Sequence, residues 1–281
     1  MYYDLEKIKA QFPVLNRKIW DKPLIYLDSA ASMQKPQKVL DAINNNYSFN
    51  YSNVHRGLHK LSEEATSNYE GARLKISKFI NCSEKEIVFT SGATAAINLV
   101  AYSWGLKNVS AGDEIIITIA EHHANIVPWQ LIAQQKGAKI IAAQVNPEED
   151  FDAEIIKQLV TDKTKIIAFP HVSNVLGTVF PVKEICKIAK ECGAISVVDG
   201  CQGIIHGTVD VKKLDNDVWI SFFDFYLDTC KKIVKKNLKE SKLAYKNNKM
   251  RLNTYLTVFL RERNRQLKRR KPCLALLHRK P

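Results

Sequence analysis

The sequence predicts an α/β fold: a mostly parallel sheet covered by helices on both faces. Three observations carry that expectation. Short, continuous apolar runs recur through the first 223 residues. Helix-length amphipathic stretches separate them, with glycine or proline at several of the joints. Strands buried on both faces read as unbroken Val/Ile/Leu runs, whereas strands with one wet face alternate. The third observation is a carboxylate, Asp199, closing the apolar run AISVVD. An open α/β sheet presents its functional groups outside the carboxyl ends of its strands.

Tyr26–Asp28 reads as a short strand, and Lys35-Pro36 opens a helix running to about Asn46. The run 86–92 is a strand and loop, followed by a helix from about Ala93 to Trp104. Residues 114–120 form a strand with a helix over about 126–136, and 139–145 form another strand. Asp152 caps a helix to about Val160, because its carboxylate can accept from the free N–H groups of the first turn. Residues 165–174 are a strand and loop. Pro181 starts a helix that Gly193 stops, and strands at 194–199 and 217–223 follow.

Composition narrows the class. With 281 residues and 46% hydrophobic content, the chain can bury one large core or two modest ones. There is no run of 18 or more apolar residues, so no membrane span is expected. MYYDLEKIKAQF has acidic residues and no apolar core, unlike a secretory signal, and a cytoplasmic location is expected. The six cysteines have no CxxC spacing, which argues against a zinc site or a disulfide framework. The net charge of +13 is uneven: residues 222–281 hold 18 Lys/Arg against 4 Asp/Glu. All 11 glycines lie at or before Gly207. Charge and glycine usage therefore break together near residue 222. This divides the chain into an α/β part, 1–223, and a basic tail, 224–281.

Several strand ends carry candidate chemistry. Thr90-Ser91-Gly92-Ala93-Thr94 opens a helix, where N–H groups and a hydroxyl can hold an anion; the plain alternative is an N-cap. Glu121-His122-His123-Ala124-Asn125 follows a strand and can offer a ring to a flat cofactor, or be a pair of surface histidines. Zinc suits it poorly, since adjacent histidines point apart and a third ligand is missing. Asn174, in HVSNVLGT, can bond a ring oxygen or make an Asx-turn. Asp199 can pair with a pyridinium nitrogen, as in enzymes using pyridoxal phosphate (PLP), with Gln202 beside it.

Taken together, in order and spacing, residues 1–221 closely resemble the N-terminal half of the Suf-type (group II) cysteine desulfurases, also known as selenocysteine lyases. These belong to the class-V aminotransferase superfamily. The matching text is YLDSAAS (26–32), VHRGLHKLS (54–62), TSGATAAINLVAYSWG (90–105), EHHANIVPWQ (121–130), HVSNVLGT (171–178), VVDGCQ (197–202) and VDVKKLDNDV (209–218). The resemblance implies a fold-type I PLP architecture, a homodimer, L-cysteine as substrate and a sulfur-acceptor protein for iron–sulfur cluster assembly. It implies that Thr94 binds the cofactor phosphate, and that His122 stacks on the ring and serves in proton transfer. It places Asn174 at the ring hydroxyl, Asp199 at the ring nitrogen and Gln202 on the phenolate side. His55 and Arg56 fall near the active-site entrance, close to the dimer partner.

The resemblance stops where the chemistry would be completed. The family follows the aspartyl strand with a Phe-Ser-Gly-His-Lys segment whose lysine forms the Schiff base. Aligned without a gap, that lysine position falls on Phe225, and no Ser-Gly-His-Lys occurs in residues 219–281. The persulfide cysteine and the carboxylate-binding arginine of the family also lack counterparts. Cys273 has none of the expected flanking residues, and Cys201 stands in the Asp199 loop as a packed side chain. A reading-frame shift near codon 222 or a truncated gene product accounts for the break; a recruited basic tail is the alternative. The tail is expected to be irregular or helical near 229–245, to bind nucleic acid at most nonspecifically, and not to pack as a second domain. The strand at 217–223 is expected to be the last one in the sheet. The resulting expectation is a desulfurase-like chain that is inactive and binds PLP weakly. A noncatalytic basic-tailed binding protein and another PLP-dependent lyase remain the alternatives.

Overall fold

The computed structural model describes residues 4–29, 32–146, 150–222 and 256–260. Seven strands form the main sheet. In chain order they are β3 (Ile87–Phe89), β4 (Glu114–Thr118), β5 (Lys139–Ala143), β6 (Thr164–Pro170), β7 (Ile195–Asp199), β8 (Val218–Phe222) and β9 (Leu256–Leu260). Their spatial order is β3-β9-β8-β7-β6-β4-β5. β4 through β8 pair parallel, and β9 runs antiparallel to both β3 and β8. A short hairpin, β1 (Lys18–Ile19) with β2 (Lys22–Pro23), stands apart.

The helices are α1 (Leu5–Lys9), α2 (Gln37–Asn45), α3 (Lys60–Ile80), α4 (Ala93–Val100), α5 (Leu106–Asn108), α6 (Val127–Lys136), α7 (Ala153–Leu159), α8 (Val182–Glu191), α9 (Gly203–His206) and α10 (Val211–Leu214). The alternation of side chains along each strand feeds two cores, one per sheet face. Ile116, Ile167, Phe169, Val198 and Trp219 pack with Ile76, Ile80 and Ile185 on one face. Ile115, Ile117, Ile166, Ala168, Val197, Val218 and Ile220 pack with Ile97, Trp129 and Ile132 on the other. The expected doubly covered parallel sheet is what these residues build, because both faces of each central strand are apolar.

At its far end from the site, β8 is pinned to β7 by a buried polar knot. The Asp217 carboxylate accepts from Ser196 N–H at 2.9 Å and from its hydroxyl at 3.0 Å, and Asp217 N–H donates to Ser196 Oγ at 2.9 Å. This fixes the register of the strand that follows the Asp199 loop.

Two expectations need correction, and one helix had no counterpart among them. Tyr26–Asp28 is not a strand. Its hydroxyl-bearing Tyr26 donates to the carbonyls of Asp28 and Ser32, curling the segment on itself, and the local pairing goes to β1 and β2. There Trp20 and Asp21 both take positive φ, as a tight hairpin turn requires. The 21-residue α3, the longest helix among the described residues, was not anticipated from VHRGLHKLS. The sheet also does not end at 217–223, since β9 lies between β3 and β8. Those two strands run parallel with one strand's width between them. LTVFL is rich in residues that favour strands, and it satisfies the open backbone edges on both sides. The expected helix at 229–245 lies outside the described residues, as does all of the basic tail, with its expected nonspecific nucleic-acid binding, except 256–260. No described helix is long and apolar enough to cross a membrane.

Candidate cofactor site at the strand ends

Because β3, β4, β6, β7 and β8 share one direction, the loops after them open on the same sheet edge. β7 ends at Asp199, which is 9% exposed. Its Oδ1 accepts from Cys201 N–H at 3.0 Å, and the Cys201 thiol also bonds its side chain. Burial, followed by the neighbouring Asp199 charge, pushes the Cys201 thiol above its ordinary range. That shift favours the protonated thiol beside Asp199. Gln202 is buried one residue further on, and its side-chain oxygen has no partner among the described residues.

The loop is packed without slack. A Cβ on Gly200 would lie 2.2 Å from the Trp219 ring, and one on Gly203 2.3 Å from His171 Nδ1. Backbone bonds from His171 N–H to Asp199 O (2.8 Å) and from Gly200 N–H to Ile220 O (2.6 Å) hold it against β6 and β8. Burial drives the His171 imidazole down to about 4, and its Nδ1 has no partner among the described residues.

After β6, the turn at 171–179 is closed by Ser173, not by an Asx-turn from Asn174. Ser173 Oγ accepts from the N–H groups of Val175 (3.3 Å) and Leu176 (3.2 Å), and its hydroxyl donates to Ala120 O at 2.9 Å. Asn174 stays half-buried. The Ala120 carbonyl belongs to the loop after β4, where His122 is exposed and its Nδ1 accepts from Ala124 N–H at 3.1 Å. An imidazole held this way carries its proton on Nε2 when neutral. Beneath it Glu121, 6% exposed, bonds Thr118 and Asn125. Burial first, then the Asp199 charge, raises the Glu121 carboxyl well above its usual range.

α4 begins after β3 and packs against β9, β8 and the turn His123–Asn125. Its N-cap, within the segment Thr90–Thr94, is Gly92, and no side chain caps the first turn. Thr94 is an exposed residue in that first turn, beside uncapped N–H groups suited to an anion. His55 and Arg56 precede α3 and are exposed. His55 takes φ +66, and its ring bonds Glu70 at 2.9 Å and stacks edge-on with Tyr69, so it faces α3. The sequence reading assigned no role to Glu121, His171 or Ser173, although all three stand inside the quoted motifs. No group of residues able to hold a metal occurs among the described residues.

The mostly parallel sheet thus carries a buried aspartate, a carboxamide, a histidine and an open helix N-terminus along one edge. The aminotransferase class-V family matches residues 25–222, and the chain belongs to that family. It is 47% identical over 221 residues to a probable cysteine desulfurase of Vibrio cholerae, covering 78% of this chain and 55% of that protein. It is 49% identical over 214 residues to a probable cysteine desulfurase of Synechocystis, covering 76% and 51%. The solved apo cysteine desulfurase of Thermococcus onnurineus NA1 superposes with a TM-score of 0.75 at 32% identity, covering 93% of this chain and 58% of that one. The chain thus spans about half the length of the curated relatives it matches.

Proposed function

We propose that this chain carries the ring-binding half of a PLP site of the cysteine desulfurase lineage, and that it does not desulfurate cysteine by itself. The observation that supports this most directly is local. Phe225 occupies the position where the family resemblance puts the anchoring lysine, just past β8. The groups on the preceding strand ends are retained. PLP is the cofactor expected at the level of the family. The residues present fit its non-covalent features: Gln202 has an uncommitted oxygen, α4 has an uncapped N-terminus, and Asp199 is a buried acid at the sheet edge.

When bound, PLP supplies an electron sink. Asp199 would hold the proton on the ring nitrogen, and Cys201 and the backbone keep that carboxyl in place. His122 would cover the ring, with Nδ1 tied to Ala124 and Nε2 left for proton exchange. Asn174 and Gln202 would take the ring oxygen, and Thr94 with the first turn of α4 the phosphate. Without an anchoring lysine, binding is noncovalent and the principal acid–base group is missing. L-cysteine as substrate, a homodimer with His55 and Arg56 near the partner, and a sulfur acceptor belong to the same proposal for the lineage.

Absorbance titration with PLP, borohydride reduction with mass spectrometry, and alanine release from cysteine test it. Weak saturable binding lost in Asp199→Ala, no dominant pyridoxyl-lysine and no alanine are expected. Alanine formation that depends on Asp199, or one stoichiometric lysine adduct, would overturn it.

A further inference from the structure

The Glu121 carboxyl is the least expected group at this edge. It is buried, it lies within the field of a second carboxyl, and it precedes the exposed His122 by one residue. Asn125 Nδ2 donates to its Oε2 at 3.0 Å, and Thr118 Oγ1 contacts its Oε1 at 3.2 Å. Asn125 is fixed in turn, since Trp129 Nε1 donates to its Oδ1 at 2.9 Å. Thr118, Asn125 and Trp129 are each 0% exposed. Thr118 ends β4 and Trp129 lies in α6, so the chain Thr118–Glu121–Asn125–Trp129 ties the strand to the helix across the turn between them. Ala124 and Asn125 supply the N–H groups that bond the His122 ring and carbonyl, at 3.1 and 2.8 Å.

We propose that Glu121 is a positioning residue: its hydrogen bonds to Thr118 and Asn125 set the turn that presents His122 at the sheet edge. The proposal rests on the reading of His122 as the ring-facing residue of the site. Burial and the Asp199 charge favour the protonated Glu121 carboxyl, while the hydrogen bonds from Asn125 and Thr118 favour the ionised one. The groups facing it are Thr118 from β4, Asn125 from the turn and Asp199 from β7, and Asp199 is the charged one. Oε2 accepts from the Asn125 amide and Oε1 from the Thr118 hydroxyl, a group that can also turn to act as acceptor.

The geometry sets the choice of variants. Glu121→Gln has the shape and hydrogen-bond capacity of the neutral acid, its oxygen accepting from Asn125 and its amide donating to Thr118. Glu121→Asp keeps a carboxyl but withdraws it by one methylene, so it cannot span both partners. Amide hydrogen exchange on the full chain, without PLP, reads the turn directly at Ala124 and Asn125. We expect Glu121→Gln to keep parental protection at both amides, and Glu121→Asp to lose about tenfold. Should Glu121→Asp fail to fold, Thr118→Val removes one arm at equal volume and should show the same loss to a smaller extent. Undiminished protection in the folded Asp variant, or in the Val variant if it is the one that folds, would overturn the proposal. So would a loss in Glu121→Gln as large as in Glu121→Asp. The measurement contains no cofactor, so a failure of PLP binding leaves its outcome unaffected.

Discussion

Between pH about 5 and about 6, the two titrating groups of this sheet edge should act on stability with opposite signs, and single substitutions should separate them. Burial takes His171 from 6.5 to about 4 in the folded protein. In that window the unfolded chain binds a proton that the folded one refuses. Its contribution is complete above the unfolded value and is lost as pH falls toward 4. One proton corresponds to a slope of about +1.4 kcal/mol per pH unit, and the whole shift to about 3 kcal/mol. Glu121 has the opposite sign. Its folded carboxyl, raised by burial and by Asp199, keeps a proton that the unfolded chain has released. Its contribution is complete below 4.5 and falls as pH rises, at about −1.4 kcal/mol per unit while the folded form stays protonated. Urea unfolding of the parent, His171→Leu and Glu121→Gln across this window is the assay. Relative to the parent, Glu121→Gln should gain stability with rising pH and His171→Leu should lose it. Parallel curves for all three would refute the reasoning, because they would mean that neither group binds protons differently on folding.

Two further outcomes follow from packing. Gly200→Ala places a methyl 2.2 Å from the Trp219 ring and should cost about 1–3 kcal/mol in thermal or urea unfolding; an unchanged midpoint would show that the loop has slack. Asp217→Ala strips the buried Ser196 N–H and hydroxyl of their acceptor and should cost about 2–4 kcal/mol, with Asn in its place recovering part of the loss; equal stability of the Ala variant would show that the knot does not pin β8.

The parts of this fold legible in the sequence are those specified by local pattern. AISVVD became β7 with Asp199 at its end because its hydrophobic run is continuous and its neighbours in space are of the same kind. The helix capped by Asp152 was legible because the cap acts within two residues, Glu154 N–H donating to it at 2.9 Å. What was missed is mostly nonlocal. Glu121 looks like an ordinary loop acid until Asp199, far along the chain, is brought into its field. Ser173 was overshadowed by Asn174 because both can close a turn, and the buried acceptor that decides between them, Ala120 O, comes from the loop after β4. The five-residue run of β9 was lost in an average, since Arg251 and Arg261 flank it within a strongly basic tail. α3 went unassigned because its first residues were quoted only as matching text, with no element given to them. Its cap is His59, whose Nδ1 accepts from Ser62 N–H, a residue that does not advertise itself as a helix start.

The Ser173 hydroxyl has a dynamic consequence. One buried oxygen fastens the turn after β6 to the carbonyl of Ala120 in the loop after β4. Asn174 and His122 therefore ride on a single stiff unit, and on the picosecond-to-nanosecond scale their displacements should be correlated instead of independent. A flat guest meets a fixed wall on that flank. α4, whose first turn leaves Thr94 exposed, packs against the same loop at His123–Asn125, so the phosphate-side helix is braced to that wall as well.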